Sequence, residues 1–184
     1  MTIWISLLRG INVGGNKIIR MADLKALYES LGLTGVQTHL QSGNVVFAAD
    51  TTDHAALASS LEGAIEQRYA FDVRVILRTL DELREVIARQ PFAAEQIAQP
   101  AKVAVVFLRD APAADTAAAL LNVYSGPEEM RLAGRELYVF YTQGMGRSKL
   151  THAIIEKKLN VTGTARNWNT TTALLDMAQK LETA

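Results

Sequence analysis

The sequence predicts an α+β fold in two halves, and three observations carry that reading. Over residues 1–79 the periodicities run strand, helix, strand, strand, helix, strand. The same order starts again at residue 101. The opening strand of each half is apolar on both faces, which calls for cover on both. The order β-α-β-β-α-β is the split βαβ of a ferredoxin-like unit, an antiparallel sheet with helices on one face. The chain of 184 residues is thus read as a ferredoxin-like half at 1–79, a connecting helix and linker at 80–100, and a second such half at 101–184 with an extra C-terminal helix.

Each element has its own signal. Residues 3–8 are a continuous apolar run of β-formers, followed by the glycine-rich stretch RGINVGGNK at 9–17. Leu24, Leu27, Tyr28 and Leu31 fall at helical spacing and stop at Gly32, marking a helix over 21–31. Residues 36–40 alternate as a short strand. Gln41-Ser42-Gly43-Asn44 is turn chemistry, and 45–49 is the returning strand. Leu57, Leu61, Ile65 and Tyr69 stand four apart on an amphipathic helix over 53–69, and 73–77 is the fourth strand. A helix over 80–90 stops at Pro91, and 91–100 reads as a junction.

The second half follows the same plan. A strand at 102–108 precedes an alanine-rich helix at 113–123 and a hairpin of 128–132 with 136–141 around Ala133-Gly134. Gly144-Met145-Gly146 leads into a helix over 148–159 with Ser148 as its N-cap. A short extended piece at 163–166 precedes a last helix at 169–181, for which Asn169 or Thr170 is the candidate cap. The repeat lies in element order and not in residue identities. Ile3, Ile5 and Leu7 oppose Trp4 and Leu8, and Val103, Val105 and Phe107 oppose Ala104, Val106 and Leu108. The side of each sheet without helices is expected to pack on the other half or on another subunit. That argues against an open sheet reading RNA bases through exposed aromatics.

Bulk composition excludes several classes. Nineteen basic and nineteen acidic residues cancel, so the chain as a whole has no attraction for nucleic acid or anionic membrane. Any anion binding must come from local clusters. Cysteine is absent, which rules out disulfides, iron–sulfur clusters, thiolate zinc and thiol catalysis. No apolar run has the length of a membrane span, and the N-terminus lacks a basic-then-apolar leader, so the cytoplasm is the expected compartment. His39, His54 and His152 have no metal spacing, so neither metal nor cofactor is expected. Ser42 sits in S-G-N and not in a nucleophile elbow, and no catalytic residue is assigned.

Three polar loops remain as candidate sites. In a split βαβ the first and second strands point the same way, so 9–17 and 41–44 leave the same end of the sheet. Together they offer Arg9, Asn12, Asn16, Lys17, Gln41, Ser42 and Asn44, with backbone N–H groups freed by Gly10, Gly14, Gly15 and Gly43. Adjacent N–H groups in glycine-rich turns can hold an anion, and the helix N-terminus near Met21 adds partial positive charge. The loop is no P-loop, since Asn16 intervenes before Lys17 and Ile18 replaces the hydroxyl residue. Two readings stand: an anion site, or a turn whose glycines and asparagines serve φ and ψ. The second loop is GMGRSK, with Arg147, Ser148 and Lys149; its plain reading is a turn, a serine cap and solvated cations. The third is TARNWNTT, with Arg166, Asn167 and Asn169 around Trp168, a core or interface anchor. The loop after a third strand leaves the opposite end of its own sheet, so convergence of all three loops requires the second half to be flipped.

The segments LLRGINVGG, QSGNVVF, GRSKLT, EKKL and TARNWNT, in that order and spacing, resemble the bacterial family called domain of unknown function 1697. The resemblance extends over essentially the full chain and implies an α/β fold with ferredoxin-like halves. It departs at Arg20, where the family commonly has proline, and in carrying fewer lysines between Gly15 and Met21. The family brings no activity with it. What it implies is a site at the shared loops. The leading expectation is a small anionic ligand, phosphorylated or nucleotide-like, held by those loops. The alternatives are nucleic-acid binding without catalysis, and a structural or protein-interaction module.

Overall fold

A computed structural model describes residues Met1–Ala184. The chain forms two compact units, Met1–Glu85 with Ala173–Ala184, and Val86–Thr172. The fold is α+β, with two four-stranded antiparallel sheets. No helix is long and apolar enough to cross a membrane.

The first unit contains β1 (Thr2–Leu8), α1 (Met21–Ser30), β2 (Thr34–His39), β3 (Asn44–Ala49), α2 (His54–Tyr69) and β4 (Val75–Thr79), and α3 (Leu80–Ala88) begins in it. Its sheet has the order β2-β3-β1-β4 with every pair antiparallel. β1 is central because both of its faces are apolar. Trp4 and Leu8 join a core with Tyr28, Phe47, Leu61 and Ile65, while Ile5 and Leu7, on the other face, are just as buried. Each such side chain contributes about 1.5–3 kcal/mol by leaving water. Ser6 and Tyr28 hydrogen-bond inside this core at 2.7 Å, and burial pushes the Tyr28 phenol far above its usual range.

α2 shows how sequence sets an element. Leu57, Leu61 and Ile65 bury one stripe, and the Asp53 carboxylate accepts from Ala55 N and Ala56 N, both at 3.0 Å. Asp53→Ala is therefore expected to cost about 1 kcal/mol, read as a lower urea midpoint with an unchanged slope. An unchanged midpoint would mean that the cap adds nothing. The helix ends at Ala70 in the left-handed region, φ 60°.

The second unit contains α4 (Ala94–Ile97), β5 (Val103–Leu108), α5 (Ala114–Val123), β6 (Glu129–Ala133), β7 (Glu136–Phe140), α6 (His152–Leu159) and β8 (Gly163–Asn167), with α7 (Trp168–Glu182) starting in it. Its sheet order is β6-β7-β5-β8, again antiparallel throughout. Ala104, Val106, Leu108, Leu120, Val139 and Ile155 form its core. Val103, Val105 and Phe107, on the other face of β5, are also buried.

Four local expectations change. The helix expected from 148 starts at His152, because the Thr151 hydroxyl takes the cap, accepting from Ile154 N at 3.3 Å. Met145–Arg147 is a single 3-10 turn, and Ser148 is extended. The last helix starts at Trp168, with Asn167 Oδ1 accepting from Thr170 N at 2.9 Å, so neither Asn169 nor Thr170 is its cap. The short extended piece expected at 163–166 is a full strand, β8, paired over five residues with β5. Finally, Ala173–Ala184 group with the first unit and not, as the sequence predicts, with the second. Gly35 marks the contact: the Leu181 tip packs on it so closely that a Cβ there would lie 2.4 Å from Leu181 Cδ1. Arg84 adds an ion pair to Glu182 at 2.5 Å.

Candidate functional site

The loops after β1 and β2 meet at one end of the first sheet. Leu8 N donates to Gly43 O at 2.8 Å, and Arg9 N to Arg74 O at 2.9 Å. Residues 12–17 fold into a miniature hairpin. Asn12 N donates to Lys17 O, and Asn16 N to Val13 O at 3.0 Å across the tip. Gly14 and Gly15 occupy that tip with φ of 58° and 77°, the two positive values that a primed turn demands. Asn12, itself at φ 54°, binds three ways. Its Nδ2 donates to Ile19 O at 2.9 Å and Gln41 O at 2.7 Å, while its Oδ1 accepts from Ile19 N at 2.9 Å. One side chain thus ties the hairpin to the segment that leaves it and to the QSGN turn. Asn44 braces that turn from inside: fully buried, its Nδ2 donates to His39 O at 2.7 Å and Ser42 Oγ at 3.0 Å.

The charges at this end are partly committed. Lys17 Nζ donates to Asp72 O at 2.5 Å and lies 3.4 Å from Asp72 Oδ1. Arg9 is half-buried, and Arg20 is exposed at the N-terminus of α1, where no side chain caps the helix. Gly14, Gly15, Gln41 and Ser42 are exposed beside them.

In the second unit, β7 and β8 both finish beside the start of β5, with Phe140 opposite Val103 and Asn167 opposite Ala104. The segments carrying Arg147–Lys149 and Arg166–Asn169 therefore leave the same end of that sheet. Arg147 and Lys149 are exposed. The Ser148 hydroxyl donates to the Glu128 carboxylate and accepts from Leu150 N at 2.9 Å. Tyr124 donates to the other oxygen of Glu128. Arg166 is buried; its Nη1 donates to Thr164 Oγ1 and Ala165 O, both at 2.9 Å. Burial pulls its pKa down to about 10. Asn167 is spent on the α7 cap, Trp168 is buried, and Asn169 is exposed.

Residues 1–138 match DUF1697, a family described as a protein of unknown function. The chain belongs to DUF1697. The matched stretch holds both loops of the first unit; Arg147–Lys149 and Arg166–Asn169 lie beyond it. The fold is similar to that of SP0830, a conserved bacterial protein of Streptococcus pneumoniae, with TM-score 0.77 over 96% of this chain and 98% of that one, at 23% identity. Among proteins of curated function, none matches this chain.

In this DUF1697 chain the predicted loop residues divide by role. Asn12, Gly43, Asn44 and Asn167 hold backbone, Lys17 is tied to Asp72, and Arg166 is internal. Gly14, Gly15, Gln41, Ser42, Arg147, Lys149 and Asn169 face solvent, with Arg9 half so. Two carboxylates beside these loops, Asp72 and Glu128, have no signal in the sequence, because only tertiary placement brings them there. No group of three or more His, Asp or Glu side chains converges as metal ligands would.

Glu128 gives the DUF1697 chain a pH handle. Burial alone would raise its pKa, but the hydrogen bonds from Ser148 and Tyr124 outweigh it and hold the carboxyl below its usual range. Burial, then the hydrogen bond to that carboxylate, pushes Tyr124 up to about 12, and burial with the Glu128 field does the same to Tyr141. A depressed carboxyl contributes stability that is full above its unfolded pKa and is lost as pH falls through the folded one. Stability of the wild type is thus expected to fall below pH about 4.5 more steeply than that of Glu128→Gln. Parallel acid melting curves would refute this.

Proposed function

We propose that the chain binds a small anionic ligand, phosphorylated in character, at the loop end of the first unit. The observation that carries the reading is the Asn12 staple, which holds the Gly14-Gly15 hairpin against the Gln41 turn. Preorganised backbone N–H groups cost little to aim at an anion. The uncapped start of α1 adds its partial positive charge, and Arg9 and Arg20 add full ones. Each half is read as ferredoxin-like, on the strand order 2-3-1-4 within each sheet. Phosphorylated metabolites belong to the cytoplasm, which is where this reading puts the protein.

A thermal-shift screen with orthophosphate, nucleotides, sugar phosphates and acetyl phosphate tests it. A ligand at about a hundred times its Kd adds roughly 2.7 kcal/mol, on the order of 5–10 °C in Tm for a chain of this size. Arg20→Ala, an exposed change, is expected to remove the shift and leave the unliganded Tm alone. If no anion raises Tm, the reading fails. One observation favours a second reading: Asn12, Asn44 and Lys17 already spend their donors on backbone, as a purely structural motif would. Under that reading Asn12→Ala lowers Tm and no ligand class raises it. Nucleic-acid binding is separated by its steep loss of affinity with salt.

A further inference from the structure

β6 is an edge strand, paired with β7 alone in its sheet. Its register is unbroken over five pairs, from Glu129 opposite Phe140 to Ala133 opposite Glu136. The second strand of the other sheet, β2, is also an edge but is defended. Its register shifts between Thr34 and Gln37, Gly35 sits at φ 61°, and Leu181 packs onto that glycine. Bulges and covering side chains are the usual protection of an edge against added strands. β6 has neither a bulge nor a positive φ, and its side-chain cover is Arg131, whose Nη1 donates to Met130 O at 2.8 Å.

Beside β6 runs a cleft of about 460 Å³. α5 supplies one wall through Leu121, 37% exposed, with Tyr124 just past its end; β6 supplies Met130 and Leu132. Glu128 and Glu129 stand at the start of the strand. Each oxygen of the Glu128 carboxylate takes one hydroxyl, which leaves further acceptor positions. Arg131 is the counter-charge in the lining, and its guanidinium is bent back onto Met130 O at 2.8 Å. An open edge strand beside a helix, with apolar walls between them, is the geometry of peptide recognition by strand addition. Main-chain bonds supply affinity there, and pockets for alternate side chains supply specificity.

We propose that the groove between β6 and α5 binds an extended segment of a partner protein as an added strand. A lysine or arginine of that segment sits against Glu128 and Glu129, and alternate apolar side chains enter between Leu121, Tyr124 and Leu132. A strand laid alongside β6 lies about 4.8 Å away and repeats its side chains on one face every second residue, which suits a cleft running along the strand. The acidic start of β6 chooses a basic segment over an acidic one. This inference concerns the second unit and stands apart from the anion-binding reading of the first.

Fluorescence anisotropy of labelled synthetic peptides on the full chain tests it. The probes are KVTVKV, its charge-reversed form EVTVEV, and KVTVKV carrying N-methyl groups on alternate amides. KVTVKV is expected to saturate, with EVTVEV about tenfold weaker and the N-methylated peptide weaker still, because it has lost ladder donors. Glu129→Gln is expected to weaken KVTVKV about threefold to fivefold, and Leu121→Arg about tenfold, both with wild-type circular dichroism and Tm. The proposal is overturned if KVTVKV does not bind, if N-methylation has no effect, or if both variants bind as the wild type does. It is overturned equally by light scattering that shows a dimer lost in Leu121→Arg while no peptide competes, since the occupant is then a second copy. If n-butylamine alone displaces KVTVKV, the groove is a small-cation site and the strand-addition proposal falls.

Discussion

Asn12→Ala is expected to lower unfolding free energy by about 3 kcal/mol. Three hydrogen bonds disappear, two donated by Nδ2 and one accepted by Oδ1. Each has a net worth of about 0.5–1.5 kcal/mol. Asn12 also sits at φ 54°, where asparagine is tolerated and alanine costs about 1 kcal/mol more. Asn12→Gly separates the two contributions, since glycine keeps the backbone and loses only the bonds; it should recover about 1 kcal/mol of the loss. Urea denaturation measures the sum. Hydrogen exchange locates it, because Ile19 N loses its acceptor and should exchange faster than its neighbours. A change below about 0.5 kcal/mol would show that the staple is decoration.

Gly43→Ala should cost a similar amount for a different reason. Gly43 lies at φ 77°, which costs an L-residue roughly 1–2 kcal/mol. Its new Cβ would stand 2.6 Å from Ile11 Cδ1 and 2.8 Å from Leu8 Cβ. The isoleucine tip can swing away, but the Leu8 Cβ cannot move without β1, whose last rung is Leu8 N to Gly43 O. Overpacking of this kind adds about 1–3 kcal/mol. Gly14→Ala is the control: its φ is 58°, and its Cβ would meet only Asn16 Nδ2, at 3.9 Å. That change should cost about 1 kcal/mol, the backbone penalty alone. Adding Ile11→Val to Gly43→Ala should recover part of the loss, since it removes the nearer of the two obstacles. Equal melting temperatures for Gly14→Ala and Gly43→Ala would refute the packing argument.

Much of this was legible from residues in order. β1 and β5 announce themselves because both of their faces are apolar, and α2 because its apolar stripe recurs every four residues. The meeting of RGINVGGNK with QSGN follows from two strands pointing the same way. The hairpin inside the first loop was not legible, since Val13-Gly14-Gly15-Asn16 is too short for a two-residue period to register. Local rules also failed where several residues qualified for one task. Ser148 and Thr151 are both good caps, and Glu128 decides between them by claiming the serine. Asn167 and Asn169 compete likewise, and the length of β8 settles it. Lys17 with Asp72 and Ser148 with Glu128 depend on tertiary placement, which no spacing encodes.

The division of the chain bears on how it is made. The first unit opens at Met1 but is completed by Ala173–Ala184, after the whole of Val86–Thr172. At roughly 5–20 residues per second, a ribosome spends on the order of 5–20 s between delivering Glu85 and delivering Leu181. Through that interval the nascent first sheet has no Leu181 for Gly35 to receive, and Arg84 has Asp81 without Glu182. The second unit, continuous in the chain, has all of its strands before the first has its last helix. Synthesis order and folding order therefore part company here: the half that emerges first is the one that must wait.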